Sequence, residues 1–150
     1  MLVSKHAQQK SLKEYFKGIA WVNPFSVTLT MKYGVWRDVS QNFRHYMNRL
    51  NQKFLGTRFR RYGEQLRVIP VYESGSSVNP HYHCMIDNPD SDRDFEFTRL
   101  VRECWWKTEL SKPEVDIQKT YDVDGWIDYM VKFRTKTSLT DSVDWNNLHR

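Results

Sequence analysis

The chain has 150 residues, 39% of them hydrophobic and 15% aromatic, with a net charge of +5, which predicts one soluble globular domain. The positive charge permits a polyanionic partner. The sequence has no long apolar run and no signal-peptide core near its N-terminus, so we expect no transmembrane helix, no membrane partner and a cytoplasmic location. The two cysteines, Cys84 and Cys104, lie among apolar residues, which argues against a disulfide framework.

The first third of the chain predicts a basic segment, a strand and a helix. Residues 1–20 are polar and basic, and we expect an N-terminal basic arm or docking helix outside the core. Residues 25–31 alternate strictly between apolar and polar side chains, which predicts a half-buried strand. Asp38 is expected to cap a helix over residues 39–54, because apolar residues recur there at helical spacing.

A strand hairpin is predicted in the middle of the chain. Residues 66–73 and 80–86 both have strand character and are separated by a turn-rich loop. Pro70 lies inside the first of them, and proline cannot donate a hydrogen bond to a neighbouring strand. We therefore expect that strand to lie at an edge of the sheet.

The remaining elements complete an α+β pattern. A helix is predicted near residues 94–109 and a short strand near residues 115–119, and Asp122 is expected to open a last helix running to about Phe133. The order β-α-β-β-α-β predicts a ferredoxin-like (RRM-like) antiparallel sheet with one additional helix. The predicted division is residues 1–20, the domain at 21–134 and a polar C-terminal tail at 135–150.

Two histidines in the predicted hairpin form a candidate metal site. His81 and His83 flank one residue of a strand, so their side chains project to the same face. Glu73 ends the preceding strand and lies beside them if the two strands pair in antiparallel fashion. Two imidazoles and a carboxylate suit Mn²⁺, Mg²⁺ or Zn²⁺. The alternative is an exposed or hydrogen-bonded histidine pair.

The last predicted helix contains a tyrosine and a lysine three residues apart. Trp126, Met130 and Phe133 share one apolar face, and Tyr129 lies at its border. Lys132 is close enough on a helix to stabilise a tyrosinate or a phosphate oxygen. The alternative is that Tyr129 is a packing residue and Lys132 a solvated charge.

A basic surface is predicted from the first long helix onward. Cations lie away from its apolar stripe and continue into the connector, with aromatic residues between them, as in surfaces that hold phosphates and stack bases. The predicted DNA-binding residues are Arg44, Arg49, Lys53, Arg58, Arg60 and Arg61. A solvated basic face is the alternative for each of them.

These motifs together resemble the HUH endonucleases. His81-Tyr82-His83 is similar to their His-hydrophobic-His motif, and Tyr129 to Lys132 is similar to the Tyr-x-x-Lys motif of the replication-initiator (Rep) branch. Glu73 matches the place of a third metal ligand in that superfamily. Tyr121 lies eight residues before Tyr129, more than two helical turns away, so we expect a single-tyrosine enzyme.

The resemblance implies a metal-dependent DNA nickase and strand transferase. Glu73, His81 and His83 would bind Mn²⁺ or Mg²⁺, Tyr129 would attack single-stranded DNA to form a 5′-phosphotyrosine, and Lys132 would neutralise charge. The expected partner is single-stranded DNA at an origin or hairpin, with a host replication helicase or polymerase as a further partner. The expected process is rolling-circle replication of a plasmid, phage or virus.

Three other functions fit the same sequence. A one-tyrosine HUH transposase would use the same residues for a different process. A non-catalytic ferredoxin-like module would bind nucleic acid on its sheet and need no metal. A metal-dependent hydrolase would use water instead of Tyr129.

Overall fold

The computed structural model describes residues 4–75, 78–132 and 142–150. Within those ranges the chain forms five α-helices, four strands and one short 3-10 turn. None of the described helices is both long and apolar enough to cross a bilayer. In chain order the elements are α1 (Lys5–Lys17), β1 (Pro24–Met31), α2 (Trp36–Leu55), α3 (Thr57–Tyr62), β2 (Val68–Gly75), β3 (Val78–Asp87), the 3-10 turn (Ser91–Arg93), α4 (Asp94–Trp106), β4 (Ser111–Lys119) and α5 (Val123–Met130).

The four strands form one antiparallel sheet in the order β2-β3-β1-β4. With α2 and α4 as the crossover helices, this confirms the predicted ferredoxin-like α+β fold. The strands β2 and β4 are the outer strands of this order, and Pro70 lies in β2 as predicted. Its carbonyl accepts a hydrogen bond from the Asp144 N–H at 2.9 Å, a role that needs no N–H from proline.

The main core lies between one face of the sheet and the helices α2 and α4. Strict alternation in β1 turns its apolar side chains toward these helices, and β3 contributes Tyr82, Cys84 and Ile86, all fully buried. Tyr82 therefore packs in the main core, on the face opposite the histidines that flank it. Cys84 and Cys104 are both buried free thiols, and burial raises the pKa of each.

A second core covers the other face of β2 and β3. Ile69, Val71 and Met85 project to this side and are buried by α1, α5 and Val143. The expectation that the N-terminal segment lies outside the core is wrong, because Phe16 of α1 is fully buried. The segment is a docking helix, and it docks because β2 and β3 present apolar side chains on both faces of the sheet.

Residues 142–150 also pack against the sheet. Val68 and His149 exchange backbone hydrogen bonds at 2.7 and 3.1 Å along the outer edge of β2. The carboxylate of Asp144 is fully buried and accepts from the Tyr82 hydroxyl at 2.8 Å and from the Ser40 hydroxyl at 3.1 Å. This part of the predicted polar tail is thus integral to the fold.

Helix ends differ from the predicted ones in α2, α4 and α5, and α4 ends at Trp106 instead of near residue 109. The helix α2 begins at Trp36, so Asp38 is not its N-cap but lies in its first turn. A negative charge at this position still interacts favourably with the helix dipole. Gly56 ends α2 with a φ of 56°, and the connector predicted after it contains the short helix α3. In α5, Asp122 is the N-cap as predicted, but the helix ends at Met130, and Phe133 lies outside the described residues.

Candidate active site

The predicted hairpin brings the three candidate metal ligands together. Glu73 is directly opposite His81 in the register of β2 and β3, and His83 lies two residues further along β3. The Nε2 atoms of the two histidines are 3.0 Å apart. The Glu73 carboxylate oxygens lie 3.5 Å from Nε2 of His81 and 3.6 Å from Nε2 of His83. The three side chains thus converge on one point.

The outer nitrogen of each imidazole has a hydrogen-bond partner that fixes the ring. Nδ1 of His81 lies 3.1 Å from the Asn79 carbonyl oxygen. A carbonyl can only accept, so this contact requires a proton on Nδ1 of His81, and in the neutral imidazole Nε2 then presents its lone pair. Nδ1 of His83 lies 3.1 Å from the hydroxyl oxygen of Thr28 on β1, which can accept in the same way. Partners of this kind orient metal-ligating histidines.

The donor set fits a divalent cation. Two imidazole lone pairs and a carboxylate that face one point repel one another unless a proton or a metal cation lies between them. Metal–ligand bonds of about 2.0–2.2 Å at ordinary coordination angles place donor atoms about 3.0–3.5 Å apart, close to the separations found. Glu73, His81 and His83 can therefore hold a metal ion.

The helix α5 places Tyr129 beside the histidines. The Asp122 carboxylate accepts from the Gly125 N–H at 2.9 Å and so fixes the start of this helix. The Trp126 indole N–H donates to the Cys84 carbonyl at 3.0 Å, which ties α5 to β3. The Tyr129 ring stacks on Trp126 at 5.1 Å and meets the His83 ring edge-on, with centroids 5.2 Å apart.

Tyr129 keeps an open side while it contacts the histidine. Its side chain is 42% exposed, whereas the side chains of Glu73 and His83 are 12% and 5% exposed. Lys132 lies beyond the end of α5, not within it as predicted, yet its Nζ is 3.9 Å from the centroid of the Tyr129 ring. A cation over the ring face is attracted to it electrostatically. The predicted pair of tyrosine and lysine is therefore in contact.

The six predicted DNA-binding residues lie elsewhere. They are on α2 and α3, and α2 packs on the sheet face opposite the one that presents the histidines. Arg58 is held by Glu64 at 2.8 Å and by Asp90 at 3.1 Å, and its hydrogen bond to Glu64 raises the pKa of its guanidinium. The structure does not bring this basic surface to Tyr129, and DNA binding by it stays a prediction.

A groove beside Tyr129 was not predicted. A cavity of about 310 Å³ lies between α5 and the polar face of β1 and β4, lined among others by Ser26, Gln118, Tyr121 and Tyr129. The alternation of β1 indicated a polar face, and this face is open next to the candidate nucleophile. Neither the Thr28 contact to His83 nor the indole bond of Trp126 has a signal in the sequence, because the first depends on the register of two strands distant in sequence and the second on how α5 docks on β3.

The family comparison gives one match. The family model of the replication-associated protein ORF2 family matches residues 24–138. No curated protein and no solved structure matches the chain. The matched range begins with β1, includes the metal-ligand cluster and extends beyond α5, so it contains every part of the site described above. Because it covers well over half of the sequence, the chain belongs to the replication-associated protein ORF2 family.

Proposed function

We propose that this protein nicks and rejoins single-stranded DNA through a covalent bond to Tyr129. The observation that supports this most is the contact of the Tyr129 ring with His83, which places a half-exposed phenol next to a Glu-His-His cluster. A lysine lies on the same ring. A candidate nucleophile, a candidate metal site and a cation in mutual contact are what a phosphoryl transfer site requires.

The three ligand residues have a defined role in this proposal. Glu73, His81 and His83 would hold Mn²⁺ or Mg²⁺, with Thr28 and the Asn79 carbonyl orienting the two imidazoles. A divalent ion at such a site polarises a phosphoryl oxygen and stabilises the charge that develops on it. The low exposure of Glu73 and His83 strengthens these electrostatic interactions, because water screens them less.

Tyr129 would make and break the phosphodiester bond. Its phenolic oxygen attacks the scissile phosphorus, a bond from phosphorus to the tyrosine oxygen forms, and the bond to the 3′ oxygen breaks. The phenol proton is lost and the departing 3′ oxygen gains a proton, so the products are a 5′-phosphotyrosine and a free 3′-hydroxyl. A second 3′-hydroxyl reverses the step and joins strands without an external energy source.

One cation, Lys132, and one aromatic ring, Trp126, would support the reacting tyrosine. Lys132 stabilises negative charge on the phenolic oxygen or on the phosphate. Trp126 fixes the ring of Tyr129 by stacking, and the adjoining groove is open to a nucleotide next to the scissile phosphate. Tyr121 is 88% exposed and precedes α5, whereas Tyr129 is the tyrosine that contacts His83, so we propose Tyr129 as the single nucleophile.

Membership of a replication-associated family favours initiation of replication over transposition as the process served. We propose rolling-circle initiation on a small replicon, with single-stranded origin DNA as substrate. A host polymerase would extend the free 3′-hydroxyl, and a host replication helicase would be a further partner that unwinds the duplex.

The experiment is an adduct assay on single-stranded oligonucleotides with Mn²⁺. The wild-type protein is expected to give a product that survives denaturation, and Tyr129→Phe is expected to give none. Tyr121→Phe is the matched control and is expected to retain adduct formation. Cleavage by Tyr129→Phe at the wild-type rate would assign the reaction to water, and binding without any cleavage across varied sequences would favour a non-catalytic nucleic-acid module.

A further inference from the structure

The N-terminal helix α1 packs on α5, the helix that carries Tyr129. Phe16 of α1 belongs to the same buried cluster as Ile127 and Met130 of α5. The family match begins at residue 24, after the end of α1. What α1 contributes to the candidate active site is therefore a property of this chain that the matched range does not contain.

A hydrogen bond from α1 fixes the end of α5. The side-chain amide of Gln9 donates to the Val131 carbonyl at 3.2 Å, and the Val131 N–H donates to the Ile127 carbonyl at 3.1 Å. The side chain of Val131 is fully buried in the second core. Because both backbone polar groups and the side chain of Val131 are held, the point at which Lys132 leaves the helix is fixed.

Two groups compete for the side chain of Lys132 at this point. One is the ring of Tyr129, whose centroid lies 3.9 Å from its Nζ. The other is the carboxylate of Asp128, four residues earlier, because an acid followed by a lysine at this spacing pairs favourably on a helix. A cation on a partly exposed ring and an exposed ion pair at this spacing are comparable in strength. The neighbours of Asp128 therefore decide which partner Lys132 takes.

Two lysines of α1 occupy that carboxylate. Nζ of Lys13 and Nζ of Lys17 lie 3.3 and 3.4 Å from the same oxygen of Asp128. The two lysines are four residues apart on α1 and so project to one side of it. With two cations beside it, the carboxylate attracts a third cation only weakly. In the part of the chain that the structure describes, Lys132 forms no ion pair and lies on the tyrosine ring instead.

We propose that Lys13 and Lys17 are positioning residues, which occupy Asp128 and thereby leave Lys132 to the ring of Tyr129. The Asp128 side chain is 47% exposed, and exposed ion pairs of this kind contribute little to folding stability. Their effect is on the direction of a neighbouring cation. The docked helix α1 thus provides the candidate nucleophile with its cation, although the ion pairs of α1 are to a different residue.

The test is the NMR signal of the ε-methylene protons of Lys132, recorded on the full-length protein without metal or DNA. Protons above an aromatic ring resonate upfield, so this signal is expected upfield of those of the other lysines, and Lys132→Met assigns it by its absence. Lys13→Gln with Lys17→Gln frees the carboxylate of Asp128. In this double variant the signal is expected to lose about half or more of its upfield displacement, since the competing contacts are comparable in strength.

A rescue variant separates positioning from a structural role of the two lysines. Addition of Asp128→Asn to the double variant removes the competing carboxylate and is expected to return the signal to its wild-type position. If loss of the lysines only loosened α1, this third change would not restore the signal. Lys5→Gln with Lys10→Gln is the matched control, because it removes the same charge from α1 and neither lysine forms an ion pair with a described residue. It is expected to leave the signal unchanged.

Three NMR results would overturn the proposal: an unchanged signal without Lys13 and Lys17, an equal loss in the control pair, or a loss that Asp128→Asn does not reverse. The consequence for catalysis rests on the proposed function and is measured as the rate of adduct formation. Loss of the two lysines is expected to slow this rate at most as much as Lys132→Met does, and further slowing in the Lys132→Met background would also overturn the proposal. A wild-type protein that forms no adduct would refute the proposed strand cleavage, while the NMR signal would still decide the partner of Lys132.

Discussion

Replacement of Thr28 by valine is predicted to weaken metal binding without disturbing the fold. The Thr28 hydroxyl oxygen lies 3.1 Å from Nδ1 of His83, and when it accepts from Nδ1–H it favours the tautomer in which the Nε2 lone pair faces Glu73. Valine has nearly the same shape and suits a central strand, so the backbone of β1 and its pairing with β3 should persist. The change removes one hydrogen bond and leaves the three ligands in place.

The expected loss of metal affinity follows from the hydrogen bond between Thr28 and the candidate ligand His83. Loss of an outer partner of a metal-bound histidine typically lowers metal affinity about 10–100-fold, and we expect a loss in this range for Mn²⁺. The cost in folding stability should be smaller, about 0.5–1.5 kcal/mol for one hydrogen bond. The two effects are thus separable in size.

The measurement is calorimetric titration of Mn²⁺ into wild-type and variant protein, with thermal unfolding of the metal-free forms in parallel. Thr28→Ser keeps the hydroxyl and is expected to restore affinity to within a few-fold of wild type. Thr30→Val is the matched control, because Thr30 projects to the same face of β1 and pairs with His81 across the sheet. It should bind Mn²⁺ nearly as well as wild type.

Two outcomes would refute this reasoning. If Thr28→Val and Thr30→Val lose affinity equally, the effect belongs to the polar face as a whole and not to the imidazole of His83. If Thr28→Val binds Mn²⁺ as wild type does, the hydroxyl does not set the tautomer.

Three further predictions concern α1, the lysine at the site and the C-terminal segment. Phe16→Ala should destabilise the protein by about 3–5 kcal/mol in denaturant unfolding, and a loss below 1 kcal/mol would contradict the second core. Lys132→Met should slow adduct formation by about 2–30-fold, the equivalent of about 0.5–2 kcal/mol for a cation on a ring, while Lys132→Arg should stay close to wild type; equal rates in all three proteins would exclude a role for the charge at Tyr129. Burial and the nearby Arg67 lower the pKa of His149 in the folded state, so the stability it contributes is present above its unfolded pKa of about 6.5 and is lost as pH falls below that value. The difference in melting temperature between wild type and His149→Gln should therefore shift against the wild type from pH 7.5 to pH 5.5, and a difference that is constant over this range would contradict the assignment.

Periodicity predicted the parts of the fold that depend on local pattern. The alternation in β1 and β3, and the helical spacing in α2 and α4, fixed which side chains face the main core. The hairpin pairing of Glu73 with His81 followed from two strands close in sequence. These predictions are confirmed because each depends on geometry within one element or between immediate neighbours.

The second core was not predicted because the two patterns that form it lie in separate elements, β2 and α1. Residues 68–71 read Val-Ile-Pro-Val, a run without alternation, as in strands that are buried on both faces. Leu12, Phe16 and Ile19 recur at the spacing of an amphipathic helix. Each pattern was visible, but only the assembled sheet shows that one covers the other. The side of the sheet that α2 occupies is likewise a property of the topology, so the sequence could not show that the basic residues of α2 lie away from Tyr129.

The strand pairing of the C-terminal segment limits where this protein can be truncated. The outer side of β2, the strand that contains Glu73, would otherwise offer unpaired backbone groups to a strand of another molecule. The backbone of residues 143–149 lies along that side, and Asp144 at the same time pairs with the buried hydroxyl of Tyr82, the residue between the two histidines. A fragment that stops at residue 138, where the family match ends, would lack this segment. The outer side of β2, which contains Glu73, would then be open to pairing with another molecule. The buried Tyr82 hydroxyl on β3, between His81 and His83, would lose its hydrogen bond to Asp144. The smallest autonomous unit is therefore longer than the stretch recognisable by family likeness.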